Sequence, residues 1–175
     1  MTKSHGTRST GLVMVAAAAV GLLVLLTLFF QEVLERRFNP NRQPTQSLMA
    51  DGVRQVVLKR NALGHYLASG TINGVSVDFL LDTGASDVSI PAHLGAALGL
   101  ERGAPRQFVT ANGVITAYST VVDQLRLGNI VDHGVRASLN PHQRDDLILL
   151  GMSFMADLEL IQRGGTLTLR QYPSP

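Results

Sequence analysis

A chain of 175 residues has room for one domain of ordinary size plus an appendage. Its formal charge of +2 is small and scattered, and no Lys/Arg-rich block with interleaved aromatics accompanies the sequence pI near 9.4, which sets nucleic acid aside. The absence of cysteine excludes a disulfide framework and thiolate metal sites, and it is compatible with an oxidising compartment without fixing one.

Residues 1–11 form an N-terminal flank. From Leu12 to Phe30 the chain carries no charge and is nearly all apolar. At about 1.5 Å per residue a helix of that length approaches the roughly 30 Å hydrocarbon core of a bilayer, so 12–30 is predicted to be a single transmembrane anchor. A cleaved signal peptide is the competing reading, with an apolar region of about 7–15 residues and a small-x-small cleavage site. Here the small residues Ala16 to Ala19 come early and the bulky Leu25 to Phe30 end the run, which favours the uncleaved anchor. A buried core helix would need a larger protein around it. Lys3, Arg8 and the amino terminus flank one end, Arg36, Arg37 and Arg42 the other, so the positive-inside count is close to a tie.

Residues 31–48 are expected to be a linker or stalk. Between Phe38 and Ser47 the composition turns to Asn, Pro, Arg, Gln and Thr, and Pro40 and Pro44 argue against regular helix or central strand. A globular domain should then occupy 49–175. Tyr66, Ala68, Gly70 and Ile72 alternate with more polar neighbours, Asn73-Gly74 is a hairpin signal, and Val75, Val77, Phe79 and Leu81 alternate again. That second run delivers Asp82 at its end. Pro91 to Leu100 is predicted to form a short helix, with Pro near the start and Gly99 near the end. Asn112-Gly113 predicts a second hairpin between Phe108-Val109-Thr110 and the run from Ile115 to Val122. Further turns are expected at Gly128-Asn129 and Gly164-Gly165, with Thr166 to Leu169 as a last strand. Met152 to Leu160 reads as a second short helix or a strand. Many short strands, Gly-containing turns and one or two short helices define a mostly β class, closed or sandwiched.

The chemistry centres on Phe79-Leu80-Leu81-Asp82-Thr83-Gly84-Ala85-Ser86, where an apolar strand runs into a turn bearing one carboxylate. Ile148-Leu149-Leu150-Gly151 echoes it later in the chain. With the Asn-Gly hairpin between them, these segments resemble the retropepsins, the retroviral-type aspartic proteases, and most closely their bacterial membrane-anchored relatives. The resemblance spans most of Val75 to Met155. It implies a small closed β-barrel-like retropepsin domain that hydrolyses peptide bonds through a water activated by two carboxylates sharing a proton. Asp82, Thr83 and Gly84 fall at the catalytic positions: Asp82 as half of the dyad, Thr83 bonding across to the partner loop, Gly84 letting the backbone turn near the water. Ala85, Ser86 and Asp87 fall where the family contacts substrate, although a solvated Asp87 is an equal alternative. Ala111, Asn112 and Gly113 lie in the hairpin that resembles the flap over bound peptide, the plain surface hairpin being the alternative.

One Asp-Thr-Gly occurs in the sequence, so the resemblance implies a homodimer with one Asp82 from each subunit. Retroviral members usually have Arg after the second Gly, where this chain has Met152, which removes one buried ion pair from that style of dimer. No cofactor is implied: His65, His93, His133 and His142 lack metal-ligand spacing. Ser86 lacks a nucleophile elbow. The bacterial relatives imply a single-pass inner-membrane protein with a periplasmic domain, though Arg36 and Arg37 argue mildly against that orientation. A non-catalytic peptide-binding module of the same fold, and a structural β domain on a stalk, are the alternatives in other functional classes.

Overall fold

The structure is a computed structural model that describes residues 6–110 and 113–173. The chain divides into two compact units, Met1–Arg37 and Phe38–Pro175.

The first unit is helical, with α1 running Gly6–Phe38. Between Gly11 and Glu35 it is long and apolar enough to cross a membrane. Its side chains from Leu12 to Phe30 are all exposed. The Thr27 hydroxyl donates to the Leu23 carbonyl at 2.8 Å, so the polar group within the apolar run is satisfied inside the helix. The helix continues past the apolar stretch through Gln31 to Phe38, a segment rich in good helix formers.

The second unit is built from two sheets. The smaller has the order β1-β2-β11-β10, from β1 (Thr45–Leu48), β2 (Arg54–Lys59), β10 (Glu159–Arg163) and β11 (Thr166–Gln171), all antiparallel. The larger has the order β3-β4-β9-β5-β8-β7-β6. Its strands are β3 (Leu67–Ile72), β4 (Val75–Leu81), β5 (Val88–Pro91), β6 (Pro105–Thr110), β7 (Gly113–Leu127), β8 (Ile130–Asn140) and β9 (Ile148–Leu150). An additional pairing of Thr71 and Ile72 on β3 with Arg126 and Leu125 on β7 closes this sheet on itself. The domain is therefore the closed, barrel-like β fold expected.

Local chemistry explains the closure. Asn73 (φ 49°) and Gly74 (φ 83°) supply the two positive-φ residues of the tight β3–β4 turn. The Asn73 side chain then accepts the Gln124 N–H and donates to the Leu98 carbonyl, docking the turn on β7. Gly70 lets the strands meet, because a Cβ there would stand 2.3 Å from the Arg126 carbonyl oxygen and 2.7 Å from the Phe79 ring. Inside, Phe79, Ile72, Ile90, Leu125, Leu127, Ile130, Ile148 and Leu150 are fully buried in one cluster that also takes Val56, Leu58 and Leu169 from the smaller sheet.

Two expectations are corrected. The stalk ends earlier and the domain begins earlier, because residues 39–48 belong to the β unit. Asn39 and Asn41 are buried, and Asn41 donates to the carbonyls of Lys59 and Leu67 while accepting the Lys59 N–H. Pro40 and Pro44 exclude helix, but side-chain amides bind such a segment to a sheet as well as a ladder does. The helix expected over Pro91–Leu100 is a single 3-10 turn at Ala92–Leu94 followed by turns, with Pro91 ending β5 and Gly99 at φ +67°. The run from Met152 to Leu160 divides between its two readings, a four-residue helix, α2 (Met152–Met155), and the start of β10 at Glu159.

Candidate active site

Asp82 stands where β4 ends. β4 and β9 run parallel with Phe79, Leu80 and Leu81 opposite Ile148, Leu149 and Leu150, so the echo between the two segments is a residue-for-residue pairing. The register continues one step further: the Asp82 N–H donates to the Leu150 carbonyl at 3.1 Å. The carboxylate oxygen Oδ1 accepts the Gly84 N–H at 2.9 Å, and the Asp82 carbonyl accepts the Ala85 N–H at 3.2 Å. The turn thus fixes one oxygen of the carboxylate. Thr83 and Gly84 are exposed at its apex.

The far side of the turn is held by α2. Its first two backbone N–H groups, which have no intrahelical acceptor, donate to the Ala85 carbonyl (Met152, 2.8 Å) and the Ser86 carbonyl (Ser153, 3.0 Å). The Ser153 hydroxyl accepts the Val88 N–H at 3.0 Å and donates to the Arg136 carbonyl at 2.7 Å, linking the turn to β8.

A cleft of about 360 Å³ opens beside Asp82. Gly84, Ala85, Ser86 and Asp87 line it from the turn, and Phe108, Val109, Ile115 and Ala117 line it from the β6–β7 hairpin. Ser89, Ser138, Asn140 and Leu149 complete the wall. A larger cavity, about 560 Å³, shares none of these residues. Its Asp78 carboxylate is taken up by Ser69 and Asn39, so the chemistry points to the cleft at Asp82.

The hairpin expected to cover the site is present, with Val109 opposite Val114 and Thr110 opposite Gly113. Ala111 and Asn112 lie outside the described residues. Val109 is 88 % and Val114 64 % exposed, an unusual placement for paired apolar side chains at the edge of a cleft. The solvated alternative for Asp87 is overturned: its side chain is 6 % exposed and lies 3.2 Å from Arg106 Nη1 and 3.9 Å from Arg136 Nη2. Eight wall residues on β5 to β9 are not among the candidate site residues of the sequence. Their one signal was alternation, Ile115 and Ala117 standing two apart on β7, and only the sheet order brings them to Asp82. Among the described residues, no three His, Asp or Glu side chains converge as a metal-ligand group. His93 pairs with Asp146 at 2.8 Å, and His133 Nδ1 lies 3.1 Å from the Asp123 carbonyl.

A barrel-closed β domain with a parallel strand pair presenting one Asp-Thr-Gly turn under a hairpin has the architecture of the aspartic-protease class. Comparison with known proteins narrows it. Residues 68–157 match the family described as "gag-polyprotein putative aspartyl protease". The chain belongs to that retropepsin-like aspartic protease family. It is 31 % identical over 117 residues to an "uncharacterized protein in cobV 5'region" of Sinorhizobium, covering 65 % of this chain and 50 % of that one. It is 29 % identical over 110 residues to an uncharacterized protein of Rickettsia prowazekii, covering 59 % and 45 %. The chain thus spans about half the length of the curated relatives it matches. Among solved structures, a retropepsin-like aspartic protease from Rickettsia conorii has the same fold, with a TM-score of 0.58 at 23 % identity over 74 % of this chain and 96 % of that one.

Proposed function

We propose that this chain is a membrane-anchored aspartic endopeptidase in which two copies each contribute Asp82 to one proton-sharing dyad. The observation that carries the reading is the placement of Asp82: its backbone is pinned to β9, one carboxylate oxygen is held by the Gly84 N–H, and the residue lines a cleft that a hairpin borders. Asp82, Thr83 and Gly84 form the catalytic turn. Ala85, Ser86, Asp87 and the hairpin residues Ala111, Asn112 and Gly113 border the peptide.

Two carboxylates a few ångströms apart cannot both be ionised, so the dyad holds one proton. The ionised carboxylate takes a proton from a water as its oxygen bonds to the peptide carbonyl carbon, and the protonated one donates to the carbonyl oxygen. Collapse of the tetrahedral intermediate breaks the C–N bond. The dyad's proton passes to the departing nitrogen while one hydroxyl of the tetrahedral gem-diol gives its proton back as the new carboxyl forms, so the dyad again holds one shared proton.

The anchor is the apolar stretch of α1, and we place the domain on the periplasmic side of a single inner-membrane pass. Support for the side comes from the bacterial anchored members of the family, and protease protection in spheroplasts tests it. The activity is tested by incubating the chain with a peptide library at pH about 4 to 7, the range suggested by carboxylate-dyad titration. Cleavage that a statine-type transition-state mimic blocks and a chelator leaves intact is expected. Peptides retained but uncut at every pH would instead identify a binding module on the same fold.

A further inference from the structure

We infer that Arg106 is a positioning residue of the cleft: paired with Asp87, it ties the β6–β7 hairpin to the turn that carries Asp82. Asp87 follows the catalytic triplet closely and opens directly into β5, yet its carboxylate is 6 % exposed. A carboxylate that far from water needs charged or hydrogen-bonding partners. It finds them on other strands: Arg106 of β6 donates from Nη1 to Oδ2 at 3.2 Å, and Arg136 of β8 brings Nη2 to 3.9 Å from Oδ1.

The position of β6 gives the contact its consequence. β6 is the last strand of the seven-stranded sheet and has a ladder to β7 alone. A strand laddered on one side opens more readily than a central one. The Arg106–Asp87 pair therefore fastens the free side of the hairpin to the catalytic turn. The same guanidinium lies 5.5 Å from the centroid of the Phe108 ring, two residues along the strand, and Phe108 lines the cleft. One side chain thus braces both the turn and the wall. Arg136 is the weaker partner, longer in reach and 73 % exposed, so it does not replace Arg106 when that residue is lost.

The kinetic consequence rests on the proteolytic reading above, while the structural one does not. Hydrogen exchange on the full chain in detergent decides the structural part. Arg106→Ala is expected to speed exchange of the β6 amides and of Val114 to Thr116 by about tenfold, with no comparable change in β3 or β4. Arg106→Lys, which keeps the charge but not the planar fork, recovers part of the protection. Asp87→Asn matches Arg106→Ala, and the double variant exchanges no faster than either single one. On a peptide cut by the unaltered chain, Arg106→Ala raises KM about tenfold while kcat falls by less than about threefold, since hairpin closure and not proton transfer is affected. Unchanged hairpin exchange in Arg106→Ala, or additive single effects, overturns the inference. So does a loss confined to kcat. Should no peptide be cut at all, the endopeptidase reading falls and exchange still decides the role of Arg106.

Discussion

Gly151 packs its Cα against the backbone of Asp87 so closely that a Cβ would stand 2.2 Å from the Asp87 carbonyl oxygen. It would also lie 2.7 Å from the Ala85 oxygen. Both obstacles are main-chain atoms, so neither can swing aside. Gly151 is the hinge between β9 and α2, whose amides hold the Ala85 and Ser86 carbonyls, and any displacement passes straight to the turn that carries Asp82. Gly151→Ala is therefore expected to lose about 2–3 kcal/mol in denaturant unfolding, the scale of overpacking a filled site. Activity should fall further than the folded fraction does, because the turn moves even in molecules that stay folded.

Asn41 gives the second prediction. Its amide donates to Lys59 and Leu67 carbonyls and accepts the Lys59 N–H, all across a buried joint, while Asn39 donates to Asp78 and Ser69. Asn41→Ala strands those backbone groups and should lower stability by about 2–4 kcal/mol. For the same reason a soluble form beginning at Phe38 is expected to fold, whereas one beginning at Met49, without Asn39, Asn41 and β1, should melt markedly lower. Circular dichroism melts of the two forms check this directly.

Much of this architecture is legible in the residues because it is local. The Asn73-Gly74 turn, the alternation leading to Asp82 and the apolar run before Glu32 each depend on neighbours within a few positions. The pairing of Phe79-Leu80-Leu81 with Ile148-Leu149-Leu150 is also visible as an echo, since two strands entering one core at the same depth need similar side chains. Residues 39–48 mislead because the two prolines exclude helix and leave no sign that buried Asn39 and Asn41 and a short strand at Thr45–Leu48 would fasten the segment to a sheet. Asp87 misleads for a different reason: its burial is decided by Arg106 and Arg136, far along the chain, and an aspartate carries no mark of who will neutralise it. The same holds for Ser138 and Asn140, which reach the cleft only through the parallel pairing of β5 with β8.

Asp82→Asn separates chemistry from structure. The substituted amide keeps an oxygen able to accept the Gly84 N–H, so the turn should survive with a stability change below about 1 kcal/mol. It cannot relay a proton, and cleavage should drop by roughly 10²–10⁴-fold or more. Unfolding curves and turnover measured on one preparation check both halves of the prediction.

The central claim is that each active unit needs Asp82 from two copies. Reconstituting the unaltered chain with Asp82→Asn at varied ratios into the same vesicles, at fixed total protein, tests it most directly. With random pairing, a mixture holding half unaltered chain should retain about one quarter of the activity, the square of its fraction, because a mixed pair has only one working carboxylate. A fall to one half, in simple proportion to the unaltered chain, would mean that a single copy of Asp82 suffices and would contradict the shared dyad.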